Sequence, residues 1–183
     1  MKKQLLHSGW QLTTVGKNDT IPATVPGSVY NDLLNAGRME DPYWRDNEMK
    51  ALALMDEDYR YNTTFDVNAD VLNSERVLLR CEGLDTIADI VLNGEKIASV
   101  CNMHRTWEFD VKDSLKTTGN TLEIVFHSST KYIKEQDKIC HAGGSDDAMV
   151  GFPNLRKAHC MFGWDWGAHL PDAGIFRPVT LLG

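Results

Sequence analysis

Beyond residue 57 the chain alternates apolar and polar residues in short runs, the period of two that marks half-buried strands. Over residues 58–67, Tyr59, Tyr61, Thr63, Phe65 and Val67 share one face. Val77-Leu78-Leu79, within 75–81, is a short apolar run suited to a sandwich core. Strands over 87–92 and 95–101 flank Asn93-Gly94, a strong short-range hairpin signal. Over 106–111, Trp107, Phe109 and Val111 stay in register, and Gly119-Asn120 turns the chain into another strand over 122–126. A last strand is predicted over 175–182.

The first third is mixed. Residues 9–14 read as a strand with Trp10, Leu12 and Thr14 on one side. In 21–27 two prolines each hold their predecessor extended. Ser28 offers an N-cap to a helix over 29–36, closed by Gly37, and a second short helix is predicted over 48–55. Strands spaced by about ten residues, with turn residues between them, argue an all-β jelly-roll sandwich with one or two short helices near the N-terminus. Residues 128–154 hold scattered lysines, His141 and Gly143-Gly144-Ser145-Asp146-Asp147. They read as a long connection, and such connections are usually functional or mobile.

Length and charge narrow the picture. A chain of 183 residues suits one domain, 1–183, and 42 % hydrophobic residues can build a core. A net charge of −7 gives no general attraction to nucleic acid or to an anionic membrane. No apolar run approaches the roughly 20 residues of a membrane span. Lys2 and Lys3 are not followed by an apolar signal core, so a cytoplasmic location is expected unless a signal was removed. Cys81, Cys101, Cys140 and Cys160 include no close pair, so free thiols, no zinc site and no cofactor are expected. Asn62-Thr63-Thr64 is a formal sequon that matters only in a secretory compartment.

The candidate chemistry centres on Gly163-Trp164-Asp165-Trp166-Gly167, which holds two of five tryptophans. In an extended segment Trp164 and Trp166 would share one face and Asp165 the other. Such a motif can aim a carboxylate into a cleft from an aromatic base, the pair of groups that sugar sites use. Equally, both tryptophans can be core and Asp165 can cap a turn. Asp137, His141, Asp146 and Asp147 lack the ordered spacing of a calcium loop and read as solvated. His159, Cys160 and His169 have no third partner spaced to orient a base, and read as structural. Glu48 could serve as a glycosidase acid only opposite a second carboxylate, roughly 5–5.5 Å away for retention. Nothing in the sequence supplies that partner, so Glu48 reads as an acid in a first helical turn.

Four segments in order resemble the N-terminal domain of β-mannosidases of glycoside hydrolase family 2. They are Ile21-Pro22-Ala23-Thr24-Val25-Pro26-Gly27-Ser28-Val29, Asp41-Pro42-Tyr43-Trp44-Arg45-Asp46-Asn47-Glu48, Gly83-Leu84-Asp85-Thr86-Ile87-Ala88-Asp89-Ile90-Val91-Leu92-Asn93-Gly94, and Arg156 through Gly167 with Ala173-Gly174-Ile175-Phe176-Arg177-Pro178. The resemblance implies a galactose-binding-like jelly roll. It also implies a retaining parent enzyme whose two catalytic glutamates come from a later (β/α)₈ barrel of about 250 residues. This chain would then be the N-terminal part of a larger hydrolase, inactive alone and with no catalytic residue of its own. Trp164 and Asp165 would be substrate-binding residues, completing a β-mannoside pocket shared with the barrel, and Trp166 is expected to stay in the core. His169 departs from the family pattern, where arginine is commoner, so the hydrogen bonds around it are expected to differ. The competing expectations are a stand-alone, lectin-like carbohydrate-binding module and a structural interaction domain. The stop at Leu181-Leu182-Gly183, straight after a strand, favours the first.

Overall fold

The computed structural model describes residues 2–183. In chain order the elements are β1 (Lys3–Leu5), β2 (Gln11–Thr14), β3 (Thr20–Pro22), α1 (Val29–Asn35), α2 (Asn47–Leu54), β4 (Tyr59–Phe65) and α3 (Ala69–Leu72). There follow β5 (Leu78–Cys81), β6 (Leu84–Asp85), β7 (Ile87–Leu92), β8 (Glu95–Cys101), β9 (Trp107–Asp110), β10 (Asn120–Phe126) and α4 (Ser129–Ile139). The last are β11 (Phe162–Trp164), β12 (Gly167–His169), β13 (Gly174–Ile175) and β14 (Val179–Leu182).

The alternation in β4 sets the architecture. Tyr59, Tyr61 and Thr63 are buried while Arg60 and Thr64 face solvent. In a six-stranded sheet of order β3-β2-β4-β10-β7-β8, Tyr61 sits opposite Leu12 and Ile124, and Ile124 sits opposite Ile90. One row of apolar side chains therefore crosses four strands on one face. The phenol of Tyr61 meets the ring of Phe126 edge-on, with centroids 5.8 Å apart. A four-stranded sheet of order β1-β14-β5-β9 covers this face and adds Leu79, Cys81, Val179 and Leu181 to one core. The antiparallel sandwich expected from the strand spacing is present.

Helices and turns follow their local chemistry. Ser28 caps α1, its Oγ accepting from the Asn31 N–H at 3.4 Å. Asn93 and Gly94 both have positive φ in the β7–β8 hairpin, which is why that dipeptide turns there. Helix α2 begins at Asn47 with Glu48 in its first turn, as expected of a helix-start acid.

Several features differ from expectation, helix α3 and the β11–β12 hairpin among them. The segment 128–154 opens with the eleven-residue helix α4, whose Ser128 cap accepts from the Lys131 N–H. Ile133 is fully buried on this helix, but Ile139 is 78 % exposed. The buried stripe is too narrow to show as helical periodicity. The last predicted strand is split into β13 and β14 around Phe176-Arg177-Pro178. Strand β1, paired to β14, is too short to leave a pattern.

The short ribbon β6–β13 places Asp85 opposite Gly174. There the side chain of Lys157, 0 % exposed, donates from Nζ to Asp85 Oδ2 and to the Asp172 carbonyl, both at 2.5 Å. Burial pulls the Lys157 pKa down, and Asp85 opposes that pull. Deleting one member of a buried pair strands the other charge. Lys157→Ala is expected to lower unfolding free energy by about 3–5 kcal/mol, and Lys157→Met with Asp85→Asn to cost less than the sum of the two single changes. Urea denaturation of these variants beside the wild type checks this, and additive losses would show that the two groups are not coupled.

Candidate functional site

The segment after Lys157 forms a hairpin that stands out from the sandwich. A 3₁₀ turn (His159–Met161) leads into β11, and β12 returns antiparallel, with Phe162 opposite His169 and Trp164 opposite Gly167. Asp165 and Trp166 are therefore the two residues of the turn, not the middle of an extended segment. Phe162 roots the hairpin, fully buried against Ile133 and Leu155. Gly163 has φ +87°, and a Cβ there would come within 2.4 Å of the His169 ring. Only glycine lets that ring lie across the hairpin base.

At the tip, Trp164 is 46 % and Trp166 84 % exposed, and Asp165 is exposed as well. Trp166 is not a core residue, contrary to expectation. A two-residue turn sends its side chain outward, whereas an extended strand would have paired it with Trp164. Trp164 and Asp165 do occur together, and both border an open hollow of about 450 Å³.

The opposite wall comes from residues 41–48. Asp41 shapes it: Oδ1 accepts from the Tyr43 N–H at 2.9 Å, and its carbonyl accepts from Asn47 Nδ2 at 3.1 Å. Arg45 has φ 55°, a left-handed backbone, and its guanidinium lies 5.4 Å from the centre of the Trp44 ring. Tyr43 and Trp44 are 78 % and 62 % exposed. Arg45 and Tyr43 line the hollow with Trp164 and Asp165. The site thus sets a cation and a carboxylate among aromatic faces, groups suited to a polyhydroxylated ligand.

Glu48 joins the two walls. Its Oε1 accepts from the His169 backbone N–H and lies against His169 Nδ1, both at 2.7 Å. The backbone N–H of His169 is the leading cause that holds the Glu48 carboxyl below its ordinary range. On the other side of the ring, His169 Nε2 lies 3.0 Å from the Asp147 carbonyl. The sequence reads Glu48 as a helix-start acid in preference to a glycosidase acid, and places it with Arg45 in one segment of the resemblance. Neither reading announces the contact of Glu48 to His169, 121 positions away, or the place of Arg45 at the hollow.

Of the remaining candidates, His159 meets Phe152 edge-on with centroids 4.9 Å apart and, with Cys160, borders a second hollow of about 280 Å³ shared with Trp164 and Trp166. His141 Nδ1 lies 3.1 Å from Asp137, one helical turn earlier. Among the described residues no group of three or more His, Cys, Asp or Glu is placed to hold a metal ion. The four cysteines are unpaired, and burial pushes the Cys81 thiol up to about 12.

The sandwich belongs to a known class. Residues 10–177 match the family model described as glycosyl hydrolase 2 galactose-binding domain-like, and the chain belongs to that family. It is 30 % identical to the β-mannosidase of Mus musculus, over 96 % of this chain and 21 % of that protein. It is 34 % identical to β-mannosidase A of Emericella nidulans, over 94 % of this chain and 19 % of that protein. The chain thus spans about a fifth of the length of these relatives. The crystal structure of β-D-mannosidase from Dictyoglomus thermophilum superposes with a TM-score of 0.94 at 36 % identity, over all of this chain and 23 % of that one.

Beneath the hairpin lies a titratable group that the sequence did not single out. Asp172 Oδ1 accepts from the Tyr30 and Ala173 N–H groups at 3.0 and 2.8 Å. Burial nevertheless pushes its carboxyl from 3.8 to about 6. A carboxyl raised by folding stabilises the native state fully below its unfolded pKa, and that contribution fades as pH rises through the folded value. Asp172→Asn removes the titration. Its stability relative to the wild type is expected to improve by up to about 3 kcal/mol between pH 4 and pH 7. Chemical denaturation across that range checks it, and a difference independent of pH would show that Asp172 does not titrate there.

Proposed function

We propose that this chain is the N-terminal domain of a β-mannosidase-like glycoside hydrolase, and that it completes the substrate pocket of a catalytic barrel through Trp164 and Asp165. The observation that carries this reading is the tip itself. Asp165 stands beside an exposed tryptophan at the rim of a hollow whose far wall is Arg45 and Tyr43. A ring platform with a carboxylate beside it suits one face of a sugar and its hydroxyls. Likeness to β-mannosidases over nearly the whole chain supports mannose as the sugar.

The chemistry of hydrolysis is assigned to the barrel. Retaining cleavage needs a carboxylic acid with a raised pKa opposite a second carboxylate. The carboxyl that lines the hollow with Asp165 is Glu48, and the His169 contacts shift it the wrong way for an acid. This chain therefore binds and orients, while two glutamates outside it act on the glycosidic bond.

Incubated at high concentration with an aryl β-mannoside, the 183-residue chain is expected to show no turnover. Titrated with mannose, it is expected to bind no better than millimolar, about −4 kcal/mol, because it offers half a pocket. In the parent hydrolase, Asp165→Asn removes a charge-assisted hydrogen bond. It is expected to lower kcat/KM by about 10- to 150-fold with little change in melting temperature. Micromolar mannose affinity of the chain alone would favour a lectin-like module instead. An Asp165→Asn protein that unfolds yet keeps its activity would make Asp165 structural.

A further inference from the structure

The hairpin that carries Trp164 and Asp165 is short, with three residues in each strand. A two-stranded hairpin of this size is not stable by itself in water. Its base is held by Phe162, but its tip is exposed. The direction of the tip relative to the Arg45 wall must then be set by whatever ties the hairpin to that wall. One contact does so directly. Glu48 lies three residues beyond Arg45 in the same wall, and its Oε1 takes both the backbone N–H and Nδ1 of His169.

We propose that Glu48 and His169 are positioning residues for Asp165: they form a clasp that fixes the separation of the two walls of the hollow. This rests on the functional reading of Asp165 given above. Three observations shape the clasp. The carboxylate takes two donors from one residue, so it fixes the His169 backbone and ring together. The second ring nitrogen lies 3.0 Å from the Asp147 carbonyl, so the ring sits between the Glu48 wall and the loop before the hairpin. The ring crosses Gly163, where a Cβ would collide with it at 2.4 Å, so it bridges both strands. Each side chain is about a third exposed, 31 % for His169 and 30 % for Glu48, at the edge of the hollow and not in the core. Arg45 and Asp165 are the other charged groups bordering that hollow, and Tyr30 anchors the same helix by donating its phenol to the Ala51 carbonyl at 2.8 Å.

The clasp makes two predictions that a residue important only for stability does not. In the 183-residue chain, Glu48→Ala or His169→Ala is expected to mobilise the tip alone. The indole N–H resonances of Trp164 and Trp166 should lose order in ¹⁵N relaxation while the backbone amides of β4 and β10 keep theirs. His169→Arg, which offers several donors in a planar fork, should restore that order. In the parent hydrolase, Glu48→Ala and His169→Ala are each expected to lower kcat/KM for an aryl β-mannoside by roughly 10-fold, as for loss of a charged hydrogen bond. Because the clasp acts through Asp165, neither should cost a further factor in an Asp165→Asn background.

The outcomes separate the two ideas. If Asp165→Asn leaves kcat/KM unchanged, the functional reading of the tip fails, and the indole relaxation still decides whether the clasp exists. If Asp165→Asn lowers activity but Glu48→Ala multiplies that loss by its full factor, Glu48 acts independently of Asp165 and the clasp proposal is wrong. It is equally wrong if the indole signals keep their order in both alanine variants. Where an alanine variant does not fold, Glu48→Gln, which keeps the bulk and removes the charge, takes its place, with the same outcomes deciding.

Discussion

A buried ammonium group holds this structure together at the point where its two halves meet. Lys157 is sealed from solvent between the side chain of Asp85 and the main chain of Asp172. Asp85 belongs to the ribbon that leads into the central sheet. Asp172 lies at the end of the excursion that bears the tip. A charge removed from water is costly unless every bond it makes is good. A hydrocarbon chain of similar size could fill the same space. The ion pair instead accepts only one arrangement of three distant segments, and the hairpin inherits its origin from that arrangement.

Above this anchor the hairpin is assembled from small, specific permissions. Gly163 leaves room for an imidazole, Phe162 plugs a satellite core with Ile133 and Leu155, and Arg45 sits in a left-handed backbone beside an exposed indole. Positive φ outside glycine is uncommon and tends to persist where surrounding structure over-determines it. Here the Asp41 hydrogen bonds on both sides of Arg45 supply that support. Local backbone choices thus hold the facing groups in place.

Much of this is legible in the residues. The alternation of Tyr59, Tyr61 and Thr63 marks the central strand and its buried face, and Asn93-Gly94 marks a hairpin. Ser28 marks a helix start, because side-chain capping is a local matter. Trp164 and Asp165 stand out in the sequence as neighbours of unusual chemistry, and the structure sets them side by side at the hollow. What the residues hide shares one cause. Whether Trp166 faces solvent, whether Glu48 reaches His169 and whether Lys157 is buried all depend on partners far along the chain, and short-range periodicity carries no such information. Helix α4 escapes notice for a related reason: with Ile133 its only fully buried apolar side chain, its pattern resembles that of a polar loop.

The pairing of Phe162 with His169 and of Trp164 with Gly167 also sets the reach of the hairpin. Each residue added to a strand lengthens it by about 3.3 Å and turns the next side chain to the opposite face. Only insertions of two residues on each side would therefore move the tip outward while leaving its aromatic and its acid facing as before. The distance this finger spans can change in steps of about 7 Å and no finer. Over evolutionary time, depth of the hollow is a quantity counted in residue pairs, and relatives with deeper or shallower hollows would differ by whole steps in this loop.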